Sequence, residues 1–204
     1  MSNVGAVVLA AGRSSRYRAA GGAEATKLVA ELGGRAIVRR VVEAALASRA
    51  RPVVVVVGHA REAVEAALLG LPVAVAFNPD FAAGVASSLG AGLRALPPDA
   101  DGALVLLGDM PNVGAALLDR LIGAFNAAAG AAAVAPVVAG RRGNPVLLAR
   151  TLFAQAMRLE GDEGARRLLA GLAPGRVTEI ETVGADAAFD VDTPEDLAAS
   201  RARD

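Results

Sequence analysis

The chain has 204 residues and no cysteine, and its 21 Lys and Arg balance 21 Asp and Glu to give a formal net charge of zero. Without cysteine there is no disulfide framework, thiolate nucleophile, Cys-ligated zinc site or iron–sulfur cluster, and zero charge with 3% aromatic residues argues against a nucleic acid partner. Because the start of the sequence does not resemble a signal peptide and no run reaches the roughly 18 apolar residues of a membrane span, we expect a cytoplasmic protein with no membrane partner.

Short apolar runs alternate along the chain with segments whose apolar residues recur at helical spacing. The runs predict β-strands over residues 4–10, 53–57, 71–77, 103–107 and 131–138, and the periodic segments predict helices over 36–48, 61–69, 85–96 and 114–129. Strands that alternate with helices favour right-handed β-α-β crossovers and a mainly parallel sheet. We therefore expect an α/β protein with a single Rossmann-like domain over residues 1–204, in which helices cover both faces of the sheet.

The pattern changes after Gly140. A polar loop over residues 140–145 leads to a short strand over 146–148 and two helical segments, and residues 176–180 and 187–191 predict two late strands. A last helix is expected to begin at Thr193, because Thr is a favoured N-cap and Pro194 suits the first helical position.

The residues that follow the first predicted strand have the composition of a phosphate-binding loop. Ligands of open α/β sheets bind at the carboxyl ends of the strands, so this position is a candidate site. Its small residues let backbone amides approach an anion, and Arg13 and Arg16 add charged donors. The stretch fits neither G-x-G-x-x-G nor G-x-x-x-x-G-K-[ST], which argues against a Rossmann dehydrogenase and a P-loop NTPase. We predict that this loop covers residues 11–24. The alternative interpretation is a flexible connection between the strand and the next helix.

Lysine and histidine occur once each in this chain, which has 20 arginines. Because an ammonium group is compact and can reach a phosphate in a narrow space, Lys27 is a candidate phosphate ligand. A solvated loop residue is the alternative. The histidine, His59, follows the second predicted strand and is interpreted as a loop residue rather than a catalytic base.

Acidic residues follow a central predicted strand and precede the last helix. Asp109 comes directly after the strand over 103–107, and Mg²⁺ on nucleotide phosphates needs about one or two protein carboxylates. Asp109 is therefore a candidate metal ligand, with a cap for the helix from Gly114 as the alternative. Asp190 and Asp192 would lie on the same face of a strand, so one of them could be the second metal ligand. The alternative is that one of them caps the last helix.

Five short motifs follow one another from the first strand to the last helix. They are Leu9-Ala-Ala-Gly-x-Ser-x-Arg16, Lys27-Leu28, Leu107-Gly-Asp-Met-Pro111, Arg142-Gly-Asn-Pro145 and Asp190-Val-Asp-Thr-Pro-Glu-Asp196. In this order they resemble the molybdenum-cofactor nucleotidyltransferases, above all the molybdenum cofactor cytidylyltransferase branch. The guanylyltransferase branch and the sugar-nucleotide pyrophosphorylases are more distant relatives, and the resemblance implies the nucleotide-diphospho-sugar transferase type of fold.

The resemblance implies a reaction in which CTP and molybdenum-bound molybdopterin give the cytosine dinucleotide cofactor and pyrophosphate, with Mg²⁺ as cofactor. The implied catalytic residues are Arg13, Lys27 and Asp109. The residues implied to bind the nucleotide are Leu9, Ala10, Ala11, Gly12, Arg13, Arg16, Lys27, Asn78, Ser87, Ser88 and Asp109. Those implied to bind the acceptor are Arg142, Gly143, Asn144 and Pro145, and the implied metal ligands are Asp109 and Asp192, or Asp190 in place of Asp192. The implied protein partner is a molybdenum hydroxylase that receives the cofactor.

Two features depart from the family pattern. Lys27 stands 11 positions after Arg16 instead of shortly after it, so residues 18–26 are either a mobile lid or supply Arg18 to share the task of the lysine. Asn144 stands where the branch often has a histidine, which can carry a charge that asparagine cannot. The alternatives are guanylyl transfer from GTP, transfer to a sugar or polyol phosphate, and a non-catalytic chaperone that binds the cofactor for a molybdenum hydroxylase. Ala10-Ala11 in place of a Gly-Gly pair would narrow the base pocket, which favours a pyrimidine.

Overall fold

A computed structural model describes residues 2–128, 130–182 and 190–201 of the chain. The strands are β1 (Val4–Ala10), β2 (Glu31–Leu32), β3 (Arg35–Ala36), β4 (Val53–Val57), β5 (Ala74–Phe77), β6 (Gly102–Leu107), β7 (Ala133–Val138), β8 (Arg141–Arg142), β9 (Val146–Ala149) and β10 (Val177–Glu181). The α-helices are α1 (Ser15–Ala19), α2 (Ile37–Ala47), α3 (Arg61–Ala67), α4 (Val85–Ala95), α5 (Ala115–Ala127), α6 (Phe153–Ala156), α7 (Ala165–Ala170) and α8 (Pro194–Arg201). Among the helices of these ranges, none combines the length and the apolar character that a bilayer crossing requires.

The main sheet has the strand order β5-β4-β1-β6-β9-β7-β10, and β8 pairs with β7 beside that path. The pairs of β1 with β4 and β6, of β4 with β5, and of β7 with β10 are parallel, whereas β9 runs antiparallel to both β6 and β7. β2 and β3 form a separate antiparallel pair. The mainly parallel α/β sheet predicted from the alternation of strands and helices is confirmed.

Helices cover both faces of the sheet because the central strands are apolar at every position. All the valines of β4 are buried, and alternate residues of a strand point to opposite faces. Val53, Val55 and Val57 belong to the core that also contains residues of α2, α3 and α5, whereas Val54 and Val56 belong to the core that contains residues of α4, α6 and α7. A sheet between two helical layers is the arrangement expected from the sequence.

The prediction of a loop over residues 11–24 is wrong in part, because this segment contains the short helix α1. Its small and polar residues do not signal a helix. The segment is held by tertiary packing instead, since the buried ring of Tyr17 lies in a cluster with Ile37 and Val191. The strand predicted over 71–77 is also shorter than expected and begins at Ala74.

The end of the chain is only partly described. Residues 187–189 of the strand predicted over 187–191 lie outside the described residues, and the other two are not in a strand. The prediction of a single domain over 1–204 stays a prediction. Thr193 caps α8 as predicted, because its Oγ1 accepts a hydrogen bond from the Asp196 amide at 3.2 Å while the Asp196 carboxylate accepts from the Thr193 amide at 2.8 Å.

Close packing of α4 on the sheet makes Gly92 a position where a methyl group does not fit. A Cβ added there would lie 2.2 Å from Cγ1 of Val7 and 2.9 Å from Cγ2 of Val56, which are stiff β-branched side chains in the core. We expect Gly92→Ala to lower the free energy of unfolding by about 1–3 kcal/mol in urea denaturation, because overpacking outweighs the better helix propensity of alanine.

Gly123→Ala is the matched control, because Gly123 also lies inside a helix. The atom nearest to its added Cβ is a guanidinium nitrogen of Arg49 at 3.7 Å, so the methyl group has room. This variant should be unchanged or gain up to about 1 kcal/mol from helix propensity. An equal loss in both variants would contradict the packing of α4 described above.

Candidate active site

Two cavities adjoin at the carboxyl end of β6, where Leu107 lines both of them. The first, which we call the β1 cavity, has a volume of about 400 Å³, and the second, the β8 cavity, about 680 Å³. The predicted nucleotide ligands that line the β1 cavity are Leu9, Ala11, Gly12, Arg13, Ser88 and Asp109. The predicted acceptor ligands that line the β8 cavity are Arg142, Gly143 and Asn144, whereas Pro145 is not in its wall. The cleft therefore lies at the sheet edge where open α/β sheets bind ligands.

Lys27 is the centre of a charged cluster at this edge. Its Nζ lies 2.7 Å from Oδ2 of Asp109 and 2.7 Å from Oδ1 of Asp192, and its side chain is only 11% exposed. Arg16 pairs with the same Asp192 from the solvent side. Residues from the start, the middle and the end of the chain thus meet around one lysine.

A network of hydroxyl groups positions Lys27 next to the loop that follows β1. The Lys27 amide donates to Oγ of Ser14 at 3.2 Å, and the hydroxyls of Ser14 and Thr26 lie 2.8 Å apart. Ser14 adopts the left-handed conformation, with φ of 52°, which turns the chain from β1 into α1. The side chain of Thr26 also caps the 3₁₀ turn Lys27–Val29.

The residues between Arg16 and Lys27 fold back on themselves. The hydroxyl of Tyr17 donates to the Glu24 carboxylate at 2.6 Å, and the Gly22 amide donates to the Tyr17 carbonyl at 3.0 Å. These contacts stabilise the conformation in which the structure describes this loop, and the mobile lid stays a prediction. Arg18 is exposed, and the ion pairs that the structure describes for Asp109 and Asp192 come from Lys27 and Arg16.

The segment 190–192 is attached directly to the end of β6. The Val191 amide donates to the carbonyl of Asp109 at 3.0 Å, and the Val191 side chain is fully buried. Asp190 lines the β8 cavity, whereas Asp192 binds Lys27. Neither of these acids caps α8, which Thr193 does.

Ionic contacts shift the pKa of several groups in the cluster. Burial alone would lower the pKa of Lys27, but the carboxylates of Asp109 and Asp192 outweigh burial and raise it above its ordinary value. Burial would raise the pKa of Asp192, but Lys27 and Arg16 outweigh that effect and lower it. The pKa of Asp190 is raised by burial and by the negative charges of Asp109 and Asp192. Lys27 and Asp192 are therefore charged at neutral pH.

Asp109 keeps one carboxylate oxygen without a partner. Oδ2 faces Lys27, whereas Oδ1 is buried and has no hydrogen-bond donor in the described part of the protein. Asp109 does not cap α5, whose N-cap Gly114 offers no side chain. Burial of a carboxylate oxygen without a partner costs free energy, so this atom is suited to bind a cation or a hydrogen-bond donor that comes with a ligand.

The residues of this cluster fit a divalent cation that is bound together with a nucleotide. Mg²⁺ on phosphates needs about one or two carboxylates, because phosphate and water oxygens complete its octahedron. Within residues 2–128, 130–182 and 190–201, no group of three or more His, Cys, Asp or Glu side chains is arranged to hold a metal by itself. Phosphate oxygens would therefore have to supply the remaining ligands.

Asn78 supports the wall of the β1 cavity from behind. Its buried amide nitrogen donates to Oγ of Ser87 at 2.8 Å and of Ser88 at 3.0 Å, and its Oδ1 accepts from the Asp80 amide at 3.1 Å. Ser88 lines the cavity, whereas Asn78 does not. The side chain of Asn78 thus fixes the start of α4, and its polar atoms already have protein partners.

Arginines line part of the wall of each cavity. Arg13 lines the β1 cavity with its guanidinium 5.9 Å from the ring centre of Phe81. Arg142 lines the β8 cavity and donates to the Glu179 carboxylate at 2.6 Å. Arg13 of the loop after β1 therefore faces the first cavity, and other arginines face the second.

Several residues of the cleft were not predicted from the sequence. Phe81 and Asp162 line the β1 cavity, and Arg141 and Arg166 line the β8 cavity. Asp162 and Arg166 do not follow a strand, so the rule that ligands bind at strand ends does not predict them. The Gly-Asp-Glu-Gly turn of residues 161–164 was the only available signal.

A mostly parallel sheet of this order, with a small-residue loop after β1 and a Lys–Asp cluster at the end of β6, defines the nucleotide-diphospho-sugar transferase type of fold. The family model of the MobA-like NTP transferase domain matches residues 6–177. The chain belongs to that family, which confirms the resemblance at the level of the NTP transferase family.

Solved structures of other proteins are similar to this protein over nearly the whole chain. A nucleotidyl transferase from Methanothermobacter thermautotroptrophicus (Mth528) is 27% identical, with a TM-score of 0.85 over 100% of this chain and 98% of that chain. Rv0371c from Mycobacterium tuberculosis H37Rv, solved as a complex with manganese, is 28% identical, with a TM-score of 0.82 over 98% of this chain and 99% of that chain.

Among curated proteins, the bifunctional protein GlmU of Leifsonia xyli subsp. xyli is 38% identical over 135 residues, which are 65% of this chain and 27% of that protein. The chain spans about a quarter to a third of the length of the curated relatives it matches. The similarity therefore concerns one part of those larger proteins.

Proposed function

We propose that this protein is a Mg²⁺-dependent nucleotidyltransferase that transfers CMP from CTP to molybdenum-bound molybdopterin and releases pyrophosphate. The observation that carries the proposal is the placement of Lys27 between Asp109 and Asp192, with the second oxygen of Asp109 left for a cation. Membership of the MobA-like NTP transferase family supports a nucleoside triphosphate as substrate, and the manganese complex of Rv0371c supports a divalent metal.

In this proposal the β1 cavity holds the nucleotide. The backbone from Leu9 to Gly12 contacts the base and ribose, and Arg13 in the cavity wall binds the triphosphate. Lys27 and Arg16 are not in that wall, and they bind the triphosphate from beside Asp109 and Asp192. Ala10 takes part only through its backbone, because its side chain is fully buried in the core. Guanidinium and ammonium groups stabilise the charge that develops on the leaving pyrophosphate.

The proposed reaction is a single displacement at the α-phosphorus. A terminal phosphate oxygen of the acceptor forms a bond to that phosphorus, and the bond from the α-phosphorus to the oxygen that bridges it to the β-phosphorus breaks. A divalent cation held by Asp109, with Asp192 or Asp190 as second ligand, would neutralise the phosphate oxygens. Lys27 remains protonated and stabilises the charge on the triphosphate, and the cleft positions the two substrates for in-line transfer. No covalent intermediate on the protein is required.

The β8 cavity is the proposed acceptor site, because it meets the β1 cavity at Leu107. Its arginines suit an anionic acceptor, and its wall also contains Asn144 and Gly143. Molybdopterin is the acceptor that the motif resemblance implies. We further propose that the protein acts in the cytoplasm and delivers the cofactor to a molybdenum hydroxylase.

The test is a panel of CTP, GTP, ATP and UTP with molybdenum-bound molybdopterin or with sugar and polyol phosphates, assayed for pyrophosphate in the presence of Mg²⁺. We expect pyrophosphate with CTP and molybdopterin, and none after Mg²⁺ is removed with EDTA. Turnover with GTP in place of CTP would show that GTP is the nucleotide substrate. Turnover only with a sugar or polyol phosphate would show that the acceptor is not molybdopterin. Nucleotide binding without pyrophosphate release under any condition would support a non-catalytic chaperone instead.

A further inference from the structure

Asp162 is a charged residue of the β1 cavity to which the proposed transfer assigns no task. It lies in the turn before α7, and its exposed carboxylate has no hydrogen bond or ion pair with any described residue. The adjacent Glu163 differs, because its carboxylate binds Arg167 of α7 at 2.8 Å. Arg13 lines the same cavity, but its guanidinium lies by the Phe81 ring and forms no described ion pair with Asp162. The carboxylate of Asp162 is therefore available to a ligand.

The turn that carries Asp162 is fixed against the start of α4. The amide of Ala86 donates to the carbonyl of Gly161 at 3.1 Å. A Cβ on Gly84, whose φ is +108°, would lie 2.2 Å from the carbonyl carbon and oxygen of Gly161. Only glycine allows these two backbones to approach so closely. Asp162 is therefore held at the cavity by the same helix start that carries Ser88.

The chemistry of a carboxylate determines which part of a nucleoside triphosphate it can face. An ionised carboxylate accepts hydrogen bonds and repels negative charge, and phosphate oxygens are themselves negative acceptors. Without a cation between them, Asp162 is therefore unsuited to the triphosphate, and the proposed cation ligands lie at the end of β6 rather than in the turn of Asp162. Asp162 is suited instead to donors of the nucleoside, such as the ribose hydroxyls and the amino group of the base.

Ser88 supplies the complementary group in the same cavity. Its Oγ accepts a hydrogen bond from the Asn78 amide at 3.0 Å, so its own hydrogen is free to point to an acceptor of the ligand. One acceptor and one donor in a cavity of about 400 Å³ match the mixed donor and acceptor groups of a nucleoside.

We propose that Asp162 is a specificity-determining residue that accepts a hydrogen bond from the nucleoside part of the substrate. The inference rests on the proposed function, because it takes the β1 cavity as the nucleotide site. It assigns nucleoside recognition to the turn before α7, separate from the phosphate and metal contacts at the end of β6.

The test is the binding of CTP and GTP with Mg²⁺, measured by calorimetry without any acceptor, to the wild-type protein, Asp162→Asn and Glu163→Gln. Asp162→Asn keeps the size of the side chain but removes its charge. We expect it to weaken binding of the preferred nucleotide about 10- to 100-fold, as for a hydrogen bond to a charged group. Glu163→Gln should bind as the wild type does, because its carboxylate faces Arg167.

Nucleotide analogues separate the two possible donors. For CTP these are 2′,3′-dideoxy-CTP, which lacks the ribose hydroxyls, and UTP, which lacks the amino group; for GTP they are 2′,3′-dideoxy-GTP and ITP. We expect one analogue of the pair to bind the wild type more weakly, and that penalty to disappear in Asp162→Asn. Unchanged binding to Asp162→Asn, or analogue penalties that are the same in both proteins, would overturn the inference.

The measurement also distinguishes this inference from the proposed function. Binding that depends on Asp162 but is followed by no transfer would refute the enzyme and support the nucleoside contact. Transfer by the wild type with no effect of Asp162→Asn on binding would refute the contact and leave the enzyme standing. A wild-type protein that binds neither CTP nor GTP would overturn both.

Discussion

Lys27→Ala is expected to reduce the rate of nucleotidyl transfer by a factor of about 10² to 10³, which is the usual effect of removing one preorganised group that stabilises transition-state charge. Lys27 lies 2.7 Å from carboxylate oxygens of both Asp109 and Asp192 and is almost entirely shielded from water. Among the ion pairs that the structure describes, it is also the one cation that contacts both of these proposed metal ligands. The measurement is kcat from pyrophosphate release at saturating Mg²⁺ and nucleotide.

The same variant should be less stable than the wild type by about 1–3 kcal/mol in chemical denaturation. Removal of one partner from a fully buried pair costs more, but the side chains of Asp109 and Asp192 are 20% and 29% exposed, so water screens part of the repulsion that remains. Because a divalent cation would replace the missing positive charge, Mg²⁺ should restore part of this stability.

Arg61→Ala is the control for Lys27→Ala. Arg61 also forms an ion pair at 2.7 Å, with Glu65, but this pair lies on the surface of α3. Its loss should change stability by less than about 1 kcal/mol and leave the transfer rate unchanged. Full activity of Lys27→Ala would refute the role of the lysine, whatever the effect on stability.

Asp109→Asn is expected to lower the transfer rate by a factor of about 10² or more and to raise the Mg²⁺ concentration needed for half-maximal rate. The substitution keeps the shape of the side chain but removes the charge and one acceptor oxygen, and Oδ1 of Asp109 is the buried oxygen without a partner. Carboxylates are the protein ligands that Mg²⁺ and Mn²⁺ prefer, whereas a neutral amide binds them more weakly. Mn²⁺ binding in the presence of nucleotide, followed by calorimetry, should weaken in parallel.

Asp99→Asn is the control for Asp109→Asn. Its carboxylate accepts a hydrogen bond from the Asn3 side chain at 3.2 Å on an exposed part of the surface. It should retain the Mg²⁺ dependence of the wild type. If Asp109→Asn also retained that dependence, Asp109 would not be a metal ligand.

The sheet could be predicted from the sequence because its central strands are buried on both faces. An unbroken apolar run such as Val53–Val57 is typical of a strand inside a sheet that is covered on both faces. The structure confirms this strand, because β4 has the predicted bounds. The position of Asp109 at the end of β6 followed from the same rule about strand ends. Its contact with Lys27 did not, because it depends on the hydroxyl network of Ser14 and Thr26.

Features that depend on tertiary contacts were not predictable from local pattern. The helix α1 exists because Tyr17 is buried, whereas its neighbours in sequence have the composition of a loop. Asp162 reaches the β1 cavity because Gly84 lets the turn before α7 approach α4. Such contacts join segments that are far apart in the chain, and no local spacing encodes them.

The proposed reaction transfers the α-phosphoryl group of a nucleotide together with its nucleoside. The most direct measurement follows CTP labelled either at the α-phosphate or at the γ-phosphate, with molybdenum-bound molybdopterin and Mg²⁺. We expect the α label to appear in the acceptor and the γ label in pyrophosphate, in equal amounts. A γ label that appears in the acceptor or as orthophosphate, or an α label that stays in CTP, would contradict the proposed reaction.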